Sequence, residues 1–296
     1  MASNPAPKGA SSLADSYIGT TIELIGDSGA GKTTQAGELA KYVYKTRRKK
    51  TILHTCDRGG YESIMPLVRK GILEVDAMKE DDDAWMWINA AVSANKANPD
   101  VGLEIFDSGT SMGDFLLTAC HKADFQVGQQ RTQKFTVTKG SGIGQSLNVT
   151  IANEAHYGVV QGFMLDAIRR STWKINSGID VLWTFALLRG EGQDRTPILG
   201  PKLCGKALTP FLPKEFQYTL RLDVIPQDSG APIHRLYTTA HSELAGMGYS
   251  FGNIRCPLGV DAPPAVIEPA SIITAMEALK AAQEQADRLL DEELGL

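Results

Sequence analysis

Residues 20–44 read TTIELIGDSGAGKTTQAGELAKYVY, and the architecture of the whole chain is built around this stretch. Thr20 to Ile25 is β-branched and apolar apart from Glu23, which predicts a buried strand. A glycine-rich turn follows it, and Thr33 to Tyr44 then shows the apolar spacing of a helix. The stretch therefore predicts a strand, a loop and a helix in succession, with the loop at the N-terminus of the helix.

The turn between the strand and the helix matches the phosphate-binding pattern G-x-x-x-x-G-K-[ST] in full. Its residues are Gly26, Asp27, Ser28, Gly29, Ala30, Gly31, Lys32 and Thr33, and Thr34 follows them. Glycines allow successive backbone N–H groups to turn inward around a phosphate, and the helix N-terminus adds partial positive charge. We therefore predict that this loop binds ATP, with Lys32 at the β and γ phosphates and the Thr33 hydroxyl as a ligand of Mg²⁺.

The composition indicates one large domain, or at most two small ones, because the chain has 296 residues of which 43% are hydrophobic. The 30 basic and 34 acidic residues give a net charge of −4. This excludes the strongly basic body of a duplex-coating protein, so any nucleic-acid contact must be a local patch. The 4 cysteines form no C-x-x-C pair, which argues against a zinc site or a disulfide framework and favours a reducing cytoplasm.

The sequence gives no indication of a membrane span. Its longest strongly apolar stretch, Val181 to Leu188, is far shorter than the roughly 20 residues that cross a bilayer, and it predicts a buried strand instead. The N-terminus lacks the apolar segment of a secretory signal. We expect residues 1 to about 16 to form a flexible tail.

Strands and helices alternate along the chain after the first unit. Predicted strands at Thr51–Thr55, Val101–Phe106 and Asp180–Leu188 are separated by segments with helical spacing. This alternation predicts an α/β fold with a mostly parallel sheet flanked by helices. We place the main domain over residues 17–240.

Three segments depart from this alternation. Residues 126–150 combine Gln, Thr, Lys and Gly with β-branched residues, which predicts an exposed basic loop or hairpin. Residues 241–268 are interpreted as a loop-rich connection. Residues 269–296 carry apolar residues near helical spacing and an acidic end, which predicts an amphipathic helix packed on the core or on a neighbouring subunit.

A nucleotide-hydrolysing site needs further polar groups near the carboxyl ends of neighbouring parallel strands. Asp107 ends a predicted strand and is the candidate Mg²⁺ ligand, the alternative being a plain strand-end aspartate. Asp57 is the candidate that orients or deprotonates the attacking water, unless it only forms an Asx-type turn, and Glu62 is the fallback. Thr184 is a candidate donor to the γ phosphate or the water, although its β propensity alone also explains it.

The order of the segments GDSGAGKTT, HTCDRGG and LEIFDSGTS resembles the RecA-like ATPase core. The segments HYGVV at residues 156–160 and GPKLCGKAL at 200–208 are similar to phage nucleotide-binding proteins of the AAA-like, minimal RecA type. The resemblance covers about Thr20 to Val224. Some proteins of that group act in single-strand annealing or recombination.

The resemblance implies a RecA-like P-loop NTPase core that assembles head to tail into a ring or a filament. It implies ATP and Mg²⁺ bound between subunits and single-stranded DNA as a partner, with a single-strand-binding protein as a further one. It also implies phage recombination or replication as the setting, and hence the cytoplasm of an infected bacterial host. No membrane partner is expected.

The resemblance also assigns roles to individual residues. Asp57 takes the position where RecA-like proteins usually carry a glutamate, which shortens its reach to the water. Lys202 and Lys206 are expected to reach the nucleotide of an adjacent subunit, the alternative being that they are solvated loop lysines. The loops Gln126–Thr150 and Arg189–Lys206 would face the DNA.

The first of these loops carries a basic stretch with one aromatic residue, a combination that tracks a phosphate backbone and stacks a base. We therefore expect DNA contact there, or else a solvated hairpin. The residues concerned are Arg131, Lys134, Phe135 and Lys139.

Two other functions fit the same sequence. The first is a nucleotide-gated binding or assembly protein that hydrolyses little ATP, which the shorter side chain of Asp57 favours. The second is a P-loop small-molecule kinase, which would need arginines over the phosphates, and Arg189 with Arg195 is a thin version of such a cluster.

Overall fold

The computed structural model describes residues 18–57, 59–96, 98–122, 131–136, 146–151, 154–191, 197–205, 207–238, 253–254 and 264–294. The strands within these ranges are β1 (Thr21–Gly26), β2 (Lys50–Thr55), β3 (Leu73–Ala77), β4 (Val101–Asp107), β5 (Arg131–Thr136), β6 (Ser146–Ile151), β7 (Asp180–Glu191), β8 (Pro197–Pro201), β9 (Tyr218–Ile225), β10 (Ile233–Tyr237), β11 (Asn253–Ile254) and β12 (Val266–Ile267). The α-helices are α1 (Lys32–Arg47), α2 (Met65–Arg69), α3 (Ala84–Ser93), α4 (Gly109–Lys122), α5 (Glu154–Thr172) and α6 (Ile272–Leu294). Short 3₁₀ turns cover Glu62–Ile64, Trp173–Ser177 and Leu212–Glu215.

Ten of the described strands form one sheet in the order β12-β10-β9-β1-β7-β4-β2-β3, with β11 added beside β9 and β8 beside β7. The six consecutive strands from β9 to β3 in this order are parallel to one another. The strands β8, β10, β11 and β12 pair antiparallel. The predicted α/β fold with a mostly parallel sheet flanked by helices is confirmed.

Helices cover both faces of this sheet. On one face α1 and α6 pack through residues such as Leu39, Val43 and Leu279. On the other face α3, α4 and α5 pack through residues such as Ile88 and Met164. Every residue of β1 and β4 is buried, because these strands lie inside the sheet and are covered on both sides. Among the helices of the described ranges, none has the length and apolar character needed to cross a membrane.

The sheet continues past residue 240, where the sequence placed the end of the main domain. β11 pairs with β9, and β12 pairs with β10, so part of the predicted loop-rich connection over 241–268 belongs to the sheet. β11 and β12 are each only two residues long, which is too short to leave an alternating pattern in the sequence.

The first half of α6 packs against α1 through its buried residues, whereas the residues after Ala282 are largely exposed. The predicted tail over residues 1–16 lies outside the described residues.

The predicted loop or hairpin over residues 126–150 is described in two parts, β5 and β6. These strands pair antiparallel from Arg131 opposite Ile151 to Thr136 opposite Ser146, apart from the main sheet. The backbone therefore forms a hairpin between α4 and α5. Arg131, Lys134 and Phe135 lie on β5, and Lys139 lies outside the described residues.

Glu104 interrupts the apolar pattern of β4 in the sequence, yet it is fully buried. It forms an ion pair with Lys174, which is also fully buried and follows α5. The Asn95 side chain donates a further hydrogen bond of 2.8 Å to Glu104. The negative charge of Glu104 inside the sheet is thus compensated by the ammonium of Lys174, which comes from the 3₁₀ turn after α5.

Glu23 is the second acid buried in the sheet. On β1 it lies between Trp183 of β7 and Thr219 of β9, and the Thr219 hydroxyl donates to it at 2.9 Å. Within the described residues its other oxygen has no hydrogen-bond partner. Burial raises the pKa of Glu23 from 4.5 to about 8, although the hydrogen bond from Thr219 opposes this shift. Between pH 4.5 and about 8 the folded protein therefore keeps a proton on the Glu23 carboxyl group that the unfolded chain releases.

We expect a Glu23→Gln variant to lose part of the protein's pH dependence of stability. Between the unfolded pKa of 4.5 and the folded pKa of about 8, the folded state binds the extra proton. The free energy of unfolding therefore falls as pH rises, by at most about 1.4 kcal/mol per pH unit from this group. Urea denaturation midpoints at pH 5 and pH 8 should differ less in Glu23→Gln than in the natural protein or in Glu38→Gln, which changes an exposed acid of α1. Equal pH slopes in all three proteins would refute this assignment.

Candidate functional site

The loop between β1 and α1 has the conformation that a phosphate site requires. Gly29 and Gly31 have φ angles of +78° and +96°, which a residue with a side chain rarely adopts. Gly31 is the N-cap of α1, and no side chain caps that end of the helix. No acidic residue lies in the first turn of α1. The N–H groups there therefore remain available to an anion at the positive end of the helix dipole.

Lys32 lies across this loop. Its ammonium group donates to the backbone oxygens of Gly26 at 2.8 Å and Asp27 at 3.0 Å. Burial lowers the pKa of Lys32, and the neighbouring carboxylates of Asp107, Asp27 and Asp57 oppose that shift. The cation is therefore held inside the loop, where a bound phosphate would meet it.

Asp107 connects the loop to the sheet. The Thr33 hydroxyl donates to one oxygen of its carboxylate at 2.8 Å, and the Thr184 hydroxyl donates to the other. Thr184 is fully buried in β7. In this structure Thr184 therefore orients Asp107, and it does not line the cleft from which it was expected to reach a γ phosphate or a water.

The sheet brings these residues together because β1, β7, β4 and β2 are adjacent and parallel. Their carboxyl ends meet at one edge, where ligands of open α/β sheets bind. Asp107 is opposite Thr55 of β2 in the register. A cleft of about 490 Å³ opens there, and it is lined by Ser28, Gly29, Gly31, Lys32, Thr33, Thr34, Asp57, Gly60, Asp107, Ser108, Thr110, Ser111 and Ala186.

Asp57 lies two residues beyond β2 and faces this cleft. Burial raises its pKa, and the negative charge of Asp107 acts in the same direction. A hydrogen bond with Ser111 and the charge of Lys32 oppose the rise. Its backbone N–H donates to the Thr55 hydroxyl at 3.0 Å, which fixes the turn. A carboxylate with a raised pKa in a polar cleft is a candidate general base.

The start of α4 supplies hydroxyl groups that were not among the predicted site residues. α4 begins at Gly109, directly after the segment that ends β4 at Asp107. Ser108, Thr110 and Ser111 thereby line the cleft, and the Ser108 and Ser111 hydroxyls lie 2.9 Å apart. The available signal was the run of hydroxyl residues directly after the strand that ends at Asp107, at the point where a helix begins.

A second cleft of about 550 Å³ adjoins the first and shares Gly31 and Thr34 with it. Ala30 and Gln35 also belong to the loop side of this cleft, and its other walls come from the start of β10 and from the segment before α6. His234 holds the loop from this side, with its Nδ1 3.0 Å from the backbone oxygen of Ala30. These residues lie more than 200 positions from the loop, so nothing in the local sequence pointed to them. The residues that line this cleft are Ala30, Gly31, Thr34, Gln35, Pro232, Ile233, His234, Glu268, Pro269 and Ala270.

The oxygen ligands at the first cleft fit the Mg²⁺ that the loop motif implies. Thr33 and Asp107 present a hydroxyl and a carboxylate 2.8 Å apart, and Mg²⁺ prefers few protein oxygens with the remaining positions filled by water and phosphate. Among the described residues there is no cluster of three or more His, Cys, Asp or Glu that would hold a metal by protein ligands alone. Thr33 and Asp107 therefore fit a metal whose other positions are filled by water and phosphate.

Comparison with known proteins adds a likeness of fold. No family model matches the sequence, and no curated protein matches it. Among solved structures, a KaiC-like protein from the hyperthermophilic archaeon Pyrococcus horikoshii OT3 is similar, with 11% sequence identity and a TM-score of 0.44. The match covers 85% of this chain and 89% of that chain. At this distance the likeness concerns the fold, and we draw no conclusion about activity from it.

The remaining predicted site residues do not line the first cleft where the structure describes them. Glu62, the fallback for Asp57, is exposed on a 3₁₀ turn and does not line the cleft. Lys202 is exposed, and its positive charge acts on Asp114 of α4. Its role toward an adjacent subunit stays a prediction. Lys206 and Arg195 lie outside the described residues.

Proposed function

We propose that this protein is a RecA-like ATPase that binds ATP with Mg²⁺ and hydrolyses it. The observation that carries the proposal is the meeting of a glycine-rich loop with Lys32, the Thr33–Asp107 pair and Asp57 around one cleft. A glycine-rich turn without this function would not need two acids and a half-buried cation at its mouth. The order of strands, with β7 between β1 and β4, accords with the resemblance to the RecA-like core.

Each residue has a part in binding or hydrolysis. The N–H groups of the loop and the Lys32 ammonium bind the phosphates. Thr33 and Asp107 hold Mg²⁺, which neutralises phosphate charge when bound. Asp57 orients the attacking water and accepts its proton, and Thr184 keeps the Asp107 carboxylate in place. The second cleft has room for the nucleoside, since it continues from Gly31 and Thr34.

The proposal extends to single-stranded DNA as the partner on which the ATPase acts. Its support is the resemblance to phage annealing and recombination proteins and the basic, aromatic composition of the β5–β6 hairpin. We further propose that subunits assemble head to tail, so that Lys202 and Lys206 of one subunit approach the nucleotide of the next.

The test is ATP turnover measured with and without a single-stranded oligonucleotide across a salt series. We expect the oligonucleotide to stimulate turnover at low salt and to lose this effect as salt rises, because phosphate contacts release counterions. Nucleosides and sugars should not stimulate it, whereas a small-molecule kinase would respond to one of them. Turnover that is insensitive to the oligonucleotide at every salt concentration would remove the DNA part of the proposal and leave the ATPase part standing.

One observation favours a nucleotide-gated binding protein as the second candidate. An aspartate stands where the resemblance predicts a glutamate, and its side chain is one methylene shorter. If the natural site is built for binding, Asp57→Glu should raise ATP turnover by about tenfold or more with little change in ATP affinity. Glu62→Gln, an exposed change on the neighbouring turn, is the matched control and should leave turnover unaltered. A fall in turnover of Asp57→Glu would favour the ATPase reading.

A further inference from the structure

Arg189 lies at the mouth of the phosphate-binding loop, a position that the proposed function leaves without a role. One of its terminal nitrogens is 2.9 Å and 2.7 Å from the two carboxylate oxygens of Asp27, the second residue of the loop. Both side chains are about half exposed. An ion pair so exposed contributes little to stability, so its position at the loop needs another explanation.

The backbone that carries Arg189 is fixed to the nucleotide cleft. β7 continues beyond its parallel pairing with β1 and β4 and there pairs antiparallel with β8, so that Arg189 lies opposite Leu199. At the base of this arm the Ala186 N–H donates to the Thr110 hydroxyl at 3.0 Å, and that hydroxyl donates to the Lys202 oxygen at 2.6 Å. Ala186 and Thr110 both line the cleft. The side chain of Arg189 can therefore turn while its backbone stays in place.

Asp27 places a carboxylate in a loop that is proposed to bind phosphates, and a carboxylate repels them. Its backbone oxygen accepts from Lys32, and its carboxylate accepts from Arg189. Asp27 thus binds two cations, Lys32 through its backbone oxygen and Arg189 through its carboxylate. Arg189 neutralises the negative charge that Asp27 brings close to the Lys32 ammonium. That ammonium is the group proposed to bind the phosphates.

The sheet order indicates which end of a nucleotide Arg189 would meet. The second cleft, with room for the nucleoside, lies on the β10 side of the loop. Arg189 approaches from β7, the side on which Asp107 and Asp57 lie. A nucleotide that spans both clefts therefore presents its terminal phosphate to the β7 side.

We propose that Arg189 is a phosphate-binding residue supplied by the same subunit, which leaves Asp27 and contacts the terminal phosphate of a bound nucleoside triphosphate. A guanidinium can form paired hydrogen bonds with phosphate oxygens, and a dianionic phosphate is a stronger acceptor than one carboxylate. Asp27 holds the side chain near the site until the triphosphate competes for it. This makes the site selective for triphosphate over diphosphate, and it rests on the nucleotide binding proposed above.

The test compares the affinities of fluorescent ATP and ADP analogues for the full chain and for Arg189→Ala, Asp27→Asn and the double variant. Arg189→Ala alone is ambiguous, because it also leaves the charge of Asp27 unscreened. The decisive comparison is therefore Asp27→Asn against the double variant, in which that charge is absent. We expect the double variant to bind the ATP analogue about tenfold or more weakly than Asp27→Asn, with ADP affinity changed less than about threefold.

Arg189→Lys separates charge from geometry, since lysine keeps the charge and loses the paired hydrogen bonds. It should fall between the natural protein and Arg189→Ala in ATP affinity. Equal ATP affinities for Asp27→Asn and the double variant would show that Arg189 only screens Asp27, and would overturn the inference. If the natural protein binds neither analogue, the proposed function fails; if it binds them and only this comparison is flat, the inference alone fails.

Discussion

A Lys32→Ala variant is expected to lose roughly a hundredfold or more of the natural protein's affinity for ATP, which corresponds to about 3 kcal/mol. The ammonium is held within the loop by the Gly26 and Asp27 oxygens, which places it where the proposed function puts the β and γ phosphates. Alanine removes the cation and leaves the carboxylates of Asp27, Asp57 and Asp107 to repel the nucleotide. A fluorescence titration with an ATP analogue measures the change.

Lys41→Ala is the matched control, because Lys41 is an exposed lysine of the same helix and pairs with the neighbouring Glu38. It should bind ATP as the natural protein does. A thermal melt of both variants separates lost binding from lost folding, since Lys32 also braces the loop. A folded Lys32→Ala protein with unaltered ATP affinity would contradict the phosphate-binding assignment on which the proposed function rests.

The buried pair of Glu104 and Lys174 should produce the largest change in stability among single substitutions away from the cleft. Lys174→Met removes the ammonium that pairs with Glu104 inside the sheet and leaves the His54 ring, 3.9 Å from Glu104, as a neighbouring basic group; the loss costs on the order of 3–5 kcal/mol. Burial lowers the pKa of Lys174 and the attraction of Glu104 opposes this. A fall in the midpoint of urea denaturation measures the loss.

The double variant Glu104→Gln with Lys174→Met removes both charges and keeps an acceptor for Asn95, whose amide donates to this position. It should recover more than half of the lost stability, since neither charge is then buried alone. Lys280→Met, a change at an exposed lysine of α6, is the control and should leave the midpoint unaltered. A double variant as unstable as the single one would show that packing of the lysine stem, rather than charge, holds this region.

Much of the candidate site followed from local spacing. The loop from Gly26 to Thr33 could be located because its residues are consecutive, and its glycines adopt the φ angles that the motif demands. Asp107 and Asp57 were found by a rule of topology, that the carboxyl ends of parallel strands meet at one edge. The register of β2 and β4, with Thr55 opposite Asp107, accords with that rule.

Other parts of the site depend on which distant segments become neighbours. Thr184 was a candidate for the cleft, but it is buried in the interior of β7 and its hydroxyl donates to Asp107 instead. His234 approaches the loop from more than 200 residues away. Glu104 interrupts the apolar pattern of its strand, and the sequence does not indicate that its partner is Lys174, 70 residues away.

The chain's local patterns are enough to establish its strand–loop–helix unit, the alternation that makes a parallel sheet, and the acids that end its strands. These follow from backbone geometry and apolar periodicity, which act over a few residues. The order of strands and the packing of the layers decide the rest, namely the pairing of Arg189 with Asp27, the second cleft beside Gly31 and the burial of Glu104 against Lys174. These contacts join residues that are far apart in the sequence and close together in the fold. Hydrogen bonds and electrostatic attraction depend on the distance between atoms in space, so the sequence alone does not reveal them.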